Sequence, residues 1–80
     1  MISARVLFFG ATAEIVGSRE ILLDLTEPIT SKDVLDIVRS NNPALASLKL
    51  LLSLNQEFAT GLERVDDGDE LAIFTPVSGG

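Results

Sequence analysis

The chain of 80 residues contains no cysteine and no histidine. The first absence removes disulfide staples and a thiolate nucleophile; the second removes an imidazole base, and together they remove the usual zinc and copper ligand sets. Neither side-chain catalysis nor a bound metal is expected. Positive charge is scarce too, with six Lys and Arg scattered among twelve Asp and Glu for a net charge of -6. Nucleic acid and anionic membranes are therefore poor partners, and a basic protein surface or an anion-binding pocket on another protein is a better one. No stretch approaches the roughly 20 apolar residues of a membrane-spanning helix, and there are no repeats, low-complexity segments or linkers. What is present is a 46% hydrophobic composition, enough for one core and one small domain. A domain this short, without disulfides, is only marginally stable unless a partner covers part of it.

The opening "MISARVLFFGATA" has a superficial likeness to a secretory signal. Its apolar run is short for that purpose, and cleavage would remove a strand the fold needs. A soluble, cytosolic protein is the expectation.

Ile2 to Phe9 is β-branched and aromatic and reads as a strand closed by Gly10. Alternation puts Ile2, Ala4, Val6 and Phe8 on one face and Ser3, Arg5, Leu7 and Phe9 on the other. A connector with a helical turn from Thr12 to Ile15 stops at Gly17. A second strand starts at Glu20, with Ile21, Leu23 and Leu25 on its buried side. Thr30 or Ser31 caps a helix carrying Asp33 in its first turn and Val34, Ile37 and Val38 on its apolar face. Pro43 ends it, and Ala44 to Leu48 forms another short turn. "LKLLLSLNQEF" reads as a third strand from about Leu50, "ATGL" as a turn and Glu63 to Val65 as a short extended piece. Asp67-Gly68-Asp69 is a tight turn into a last strand, Glu70 to Thr75, with Leu71 and Ile73 on one face and Ala72 and Phe74 on the other.

Strand, strand, helix, strand, strand closes most simply as a mixed sheet whose first and last strands lie parallel and adjacent through a right-handed crossover. The expected fold is α+β, a ubiquitin-like β-grasp of four to five strands with one main helix on one face. Residues 1–75 form this domain and 76–80 a flexible tail. The acids of "DDGDE" lack the further ligands of a calcium loop and read as a solvated turn. Arg5, Arg39 and Arg64 read as surface charges.

Pro76 cannot donate to a sheet ladder, so pairing lapses there and Val77, Ser78, Gly79 and Gly80 project from the body. Two glycines add no width beyond the backbone and suit a tail that threads a narrow channel to deliver its terminal carboxylate. A carboxylate is a poor electrophile. A chain that uses its own end as a reagent needs a partner that adenylates it, after which a sulfur nucleophile can displace the adenylate and leave a thiocarboxylate.

The segments "RVLFFGATAEIVG", "LSLNQEFAT" and "DGDELAIFTPVSGG" resemble the small, sulfur-carrying subunit of molybdopterin synthase, most specifically in the final segment. The resemblance implies a non-catalytic carrier subunit in molybdenum cofactor biosynthesis. An activating enzyme related to ubiquitin-activating enzymes, an adenylyltransferase and sulfurtransferase, would use ATP to adenylate Gly80. No cofactor would be held permanently by the carrier. The thiocarboxylated tail, with Gly79 allowing it to thread, would enter the large subunit and give sulfur to cyclic pyranopterin monophosphate, within a heterotetramer of two small and two large subunits.

Phe9 and Phe74 fall on the faces opposite Phe8 and opposite Leu71 with Ile73. If the helix covers the latter, the former face outward, and Phe58 joins them as a docking cluster beside the tail. The resemblance implies that hydrophobic residues at these positions contact the large subunit, and Pro76, Val77 and Ser78 would complete the contact. Three other readings remain open. They are a thiamine-thiazole sulfur carrier, against which stand the "GATAEIVGS" loop and the Pro-Val-Ser-Gly-Gly end; a ubiquitin-like modifier of lysines, disfavoured by an end at Gly80 with nothing to remove; and an interaction domain with an idle tail.

Overall fold

A computed structural model describes residues 1–76. The elements are β1 (Ile2–Phe8), α1 (Ala11–Val16), β2 (Glu20–Leu25), α2 (Ser31–Asn41), a 3-10 turn (Pro43–Leu45), β3 (Leu51–Leu54), β4 (Glu57–Phe58) and β5 (Glu70–Phe74). They build one five-stranded mixed sheet in the order β2-β1-β5-β3-β4. β1 pairs antiparallel with β2 and parallel with β5, from Arg5 opposite Glu70 to Phe8 opposite Ile73. The expected β-grasp is therefore the observed fold, with the first and last strands side by side at its centre.

Burial follows the pleat. Ile2, Ala4, Val6 and Phe8 of β1 are buried, as are Leu71 and Ile73 of β5, and they pack with Val34 and Val38 of α2, Leu45 and Val65 in a single core. On β2 only Leu25 is fully covered, which makes this edge strand half-buried as its alternation requires.

α2 starts where capping chemistry puts it. The Thr30 hydroxyl accepts from the Asp33 amide at 3.3 Å while the Asp33 carboxylate accepts from the Thr30 amide at 3.0 Å, a reciprocal capping box. These bonds from Thr30, backbone first, hold the Asp33 carboxyl below its ordinary pKa. The segment before β5 is stitched to the helix start by Glu63, whose carboxylate accepts from the Thr60 amide at 2.7 Å, the Ser31 hydroxyl at 2.8 Å, the Gly61 amide at 2.9 Å and the Thr60 hydroxyl at 3.0 Å. Four donors on one carboxylate, the Thr60 amide foremost, lower its pKa to about 2.

Two expectations are corrected, the single third strand and the surface placing of Arg39, while the short extended piece and the exposed acidic turn are observed. The single third strand is two short strands, because Asn55 and Gln56 turn the chain with φ of 50° and 71° and fold β4 back onto β3. The extended piece at Glu63 to Val65 contributes one bridge, between Thr30 and Arg64. The acidic turn is bonded into the fold: Asp67 accepts from the Ser3 amide at 2.8 Å, and Asp69 accepts from the Asp66 amide at 2.8 Å and the Asn55 side-chain amide at 3.1 Å. Arg39 is half-buried, with Nη2 donating to the Leu48 carbonyl at 3.5 Å. No helix among the described residues is long and apolar enough to cross a membrane.

Candidate functional site

The helix covers one face of the sheet and leaves the other open. Register puts Arg5, Leu7, Glu20, Leu22, Ser53, Phe58, Glu70, Ala72 and Phe74 on the open face, since cross-strand partners share a side. The face is graded along the strands. At one end Arg5 spans three strands, donating to Glu20 on β2 at 2.8 Å and Glu70 on β5 at 3.3 Å. Towards the other end, where β1 and β5 finish, the face turns mostly apolar: Leu7, Phe9, Ala72, Phe74 and Pro76 border a shallow concavity of about 820 Å³, which Glu70 also lines.

The aromatic residues singled out from the sequence meet here. Phe9 is 53% and Phe58 80% exposed, against 2% for Phe8 on the covered face. Phe58 and Phe74 stack at a tilt, with ring centroids 6.1 Å apart and planes at 53°, a geometry that aromatic quadrupoles favour. Phe74 is half-buried. The concavity brings Phe9 and Phe74 together with Pro76, while Phe58 stands beside it and reaches it through Phe74. Pro76 is exposed and follows β5 by two residues, so the ladder ends at Phe74, one residue earlier than the sequence suggested. Val77, Ser78, Gly79 and Gly80 lie outside the described residues.

Two features were not identified as part of the site from sequence. Ser53 and Gln56 line the same concavity; Gln56 does so because of the β3–β4 turn, which carries no glycine to announce it. Thr12 is fully buried and bonded to the ends of both central strands; a polar residue in a short connector gives no sequence signal of that kind. The described residues contain no group of three or more acidic side chains placed to hold a metal ion. An exposed apolar depression beside a strand end can bind a partner's apolar side chains and orient the chain that leaves it.

Comparison with known proteins gives this geometry a family. The ThiS family model matches residues 6–80. The molybdopterin synthase sulfur carrier subunit of Caenorhabditis elegans is 34% identical, with all of both chains covered. Small archaeal modifier protein 1 of Haloferax volcanii is 37% identical, covering 90% of this chain and 94% of its own. The crystal structure of SAMP1 from Haloferax volcanii superposes with a TM-score of 0.85 at 35% identity, covering 98% of this chain and 99% of that one. With a family match over nearly its whole length and a ubiquitin-like β-grasp framework, the chain belongs to the ThiS family.

Proposed function

We propose that this protein is the sulfur carrier of a molybdopterin synthase, working in the cytosol as a non-catalytic subunit. Gly80 reacts with ATP on an activating enzyme to give a glycyl adenylate and pyrophosphate. A sulfur nucleophile displaces AMP and leaves the thiocarboxylate. The tail then enters the large subunit, where the sulfur attacks an oxygen-bearing carbon of cyclic pyranopterin monophosphate and the C–O bond there breaks, the oxygen leaving as water or on the phosphate. Hydrolysis of the resulting thioester leaves sulfur on the pterin and returns Gly80 as a carboxylate, and two such deliveries supply the two dithiolene sulfurs. Full-length similarity to the molybdopterin synthase sulfur carrier subunit supports the pathway.

The observation that carries this reading is the open-face depression bordered by Phe9 and Phe74, with Phe58 alongside, at the strand end from which the chain continues through Pro76 to Gly80. A docking surface there would place a terminal reagent four residues from Pro76 at a partner's reaction centre. Gly79 adds no side chain that a narrow channel would have to admit. Intact mass of protein from cells should include a species heavier by the exchange of one oxygen for sulfur. Deletion of Gly80 should abolish transfer to the pterin while thermal stability stays unchanged, because among the described residues the last member of the core is Ile73. Retained molybdopterin synthesis with that deletion would refute the assignment.

Similarity to a small archaeal modifier protein supports a second reading, in which the same activated carboxyl is passed to lysines of other proteins. Covalent ladders at higher mass that vanish with Gly80 would favour it. A thiazole-pathway carrier would instead co-purify with a thiazole synthase.

A further inference from the structure

Only two polar residues are buried among the described residues, Thr12 and Ser31. Ser31 serves the helix start through Glu63. Thr12 stands in the first turn of α1, where its hydroxyl gathers the ends of the two central strands. Oγ1 lies 2.7 Å from the Phe9 carbonyl and 3.0 Å from the Ile73 carbonyl, so its one proton serves either acceptor, and it accepts from the Phe9 amide at 3.1 Å.

The parallel β1–β5 register ends at Phe8 and Ile73. Beyond that rung, the Phe9 amide reaches the Ile73 carbonyl only at 3.3 Å. The Thr12 hydroxyl therefore acts as one more rung, made by a side chain, at the point where both strands release an outward-facing phenylalanine. On its other side, β5 is held at Phe74 by Leu51 of β3. Without the hydroxyl, the β1 side of this junction keeps one long hydrogen bond among the described residues.

We propose that Thr12 is a positioning residue for docking: its hydroxyl holds Phe9 and Phe74 in one arrangement and fixes the direction in which the chain leaves β5 through Thr75 and Pro76. This rests on the carrier reading above. Pre-ordered contact groups lose less freedom on binding, so the effect belongs to capture of the carrier by the large subunit. The chemistry at Gly80 is untouched.

The test compares Thr12→Val, Thr12→Ala and Thr12→Ser with Ser31→Ala, which removes the other buried hydroxyl far from the strand ends, all in the full-length chain. Thr12→Ala loses the same oxygen without setting a methyl against the Ile73 carbonyl, so it serves if the valine variant does not fold. Backbone order parameters at Phe9, Phe74 and Thr75 should drop from about 0.85 towards 0.6 in the valine and alanine variants. They should stay at wild-type values in Thr12→Ser and Ser31→Ala. With thiocarboxylated carrier as the substrate of the large subunit, KM should rise about fivefold in the variants lacking the hydroxyl, with kcat unchanged, as loss of one buried hydrogen bond at a contact surface implies. Thr12→Ser should restore KM. Unchanged order parameters in Thr12→Val and Thr12→Ala would overturn the proposal, as would an equal rise in KM for Ser31→Ala. If the wild-type carrier transfers no sulfur, the carrier reading falls, and the order parameters alone decide whether Thr12 holds the strand ends.

Discussion

Single residues in this protein do two separable jobs, and Glu63 represents the structural one. Its carboxylate accepts from two backbone amides and two hydroxyls near the start of α2. These bonds hold its folded pKa at about 2, below the ordinary 4.5. A depressed carboxyl contributes stability above its unfolded pKa and loses it as pH falls through the folded value. The wild-type protein should therefore lose stability progressively as pH drops from about 4.5 to about 2, and Asp33, lowered by its bonds to Thr30, adds to the loss in the same direction. Glu63→Gln should be less stable than wild type at pH 7, and the gap in denaturation midpoint should close towards pH 2. A constant gap across that range would show that the charge of Glu63 is not what the four donors stabilise. The phenylalanines do the other job. Their orientation was legible because alternation fixes the side of each residue once the buried side is known: Phe8 inward requires Phe9 outward, and Ile73 inward requires Phe74 outward. The Phe58–Phe74 stack was not legible, because it depends on a hairpin that brings residues far apart in sequence into contact.

At the scale of elements, that hairpin is where sequence reasoning failed. "LKLLLSLNQEF" has the apolar content of one strand, and the usual signal for a two-residue turn, Asn-Gly or Asp-Gly, is absent. The chain nevertheless turns at Asn55-Gln56 with both φ values positive. Asn55 tolerates this and is further held there, its side chain accepting from the Glu70 amide at 3.0 Å and donating to Asp69 at 3.1 Å. Among the described residues Gln56 has no such side-chain bond, and it sits at φ 71°, a region that costs a residue with a Cβ about 1 kcal/mol or more. Gln56→Gly should raise the melting temperature by a few degrees, on the order of what up to 1 kcal/mol produces in a domain of this size, and a lower value would show that Gln56 is held by contacts stronger than the strain. The other elements were legible because their signals are local. Glu20 to Leu25 alternates cleanly, Thr30 and Asp33 form the box that starts α2, and Pro43 follows its end. The sheet order could also be reached from the element order, because a helix between two hairpins leaves few right-handed ways to close.

At the scale of the whole molecule, charge and apolar surface are segregated in a manner that bears on how a partner arrives. The net charge is -6, yet the rim of the open-face depression near Pro76 is largely apolar; Glu70 lines the depression at its far side, where it is paired with Arg5, and Arg5 and Glu20 lie further back along the strands. Long-range attraction then belongs to the body of the protein, whereas the final contact belongs to the apolar depression. These contributions separate kinetically, because exposed charges act on encounter and are screened over about 8 Å at physiological ionic strength, while buried apolar contacts govern dissociation. Association of the carrier with its proposed large subunit should slow by roughly tenfold between low and physiological salt. Dissociation should change little over the same range. Phe58→Ala, which removes an 80% exposed ring and leaves the core intact, should do the reverse, speeding dissociation while the salt dependence of association stays as in the wild type. Stopped-flow measurement of both rates distinguishes the two. Association independent of salt would mean that the acidic excess faces away from the partner, and unchanged dissociation in the Phe58 variant would remove this ring from the contact and confine docking to the depression between Phe9, Phe74 and Pro76.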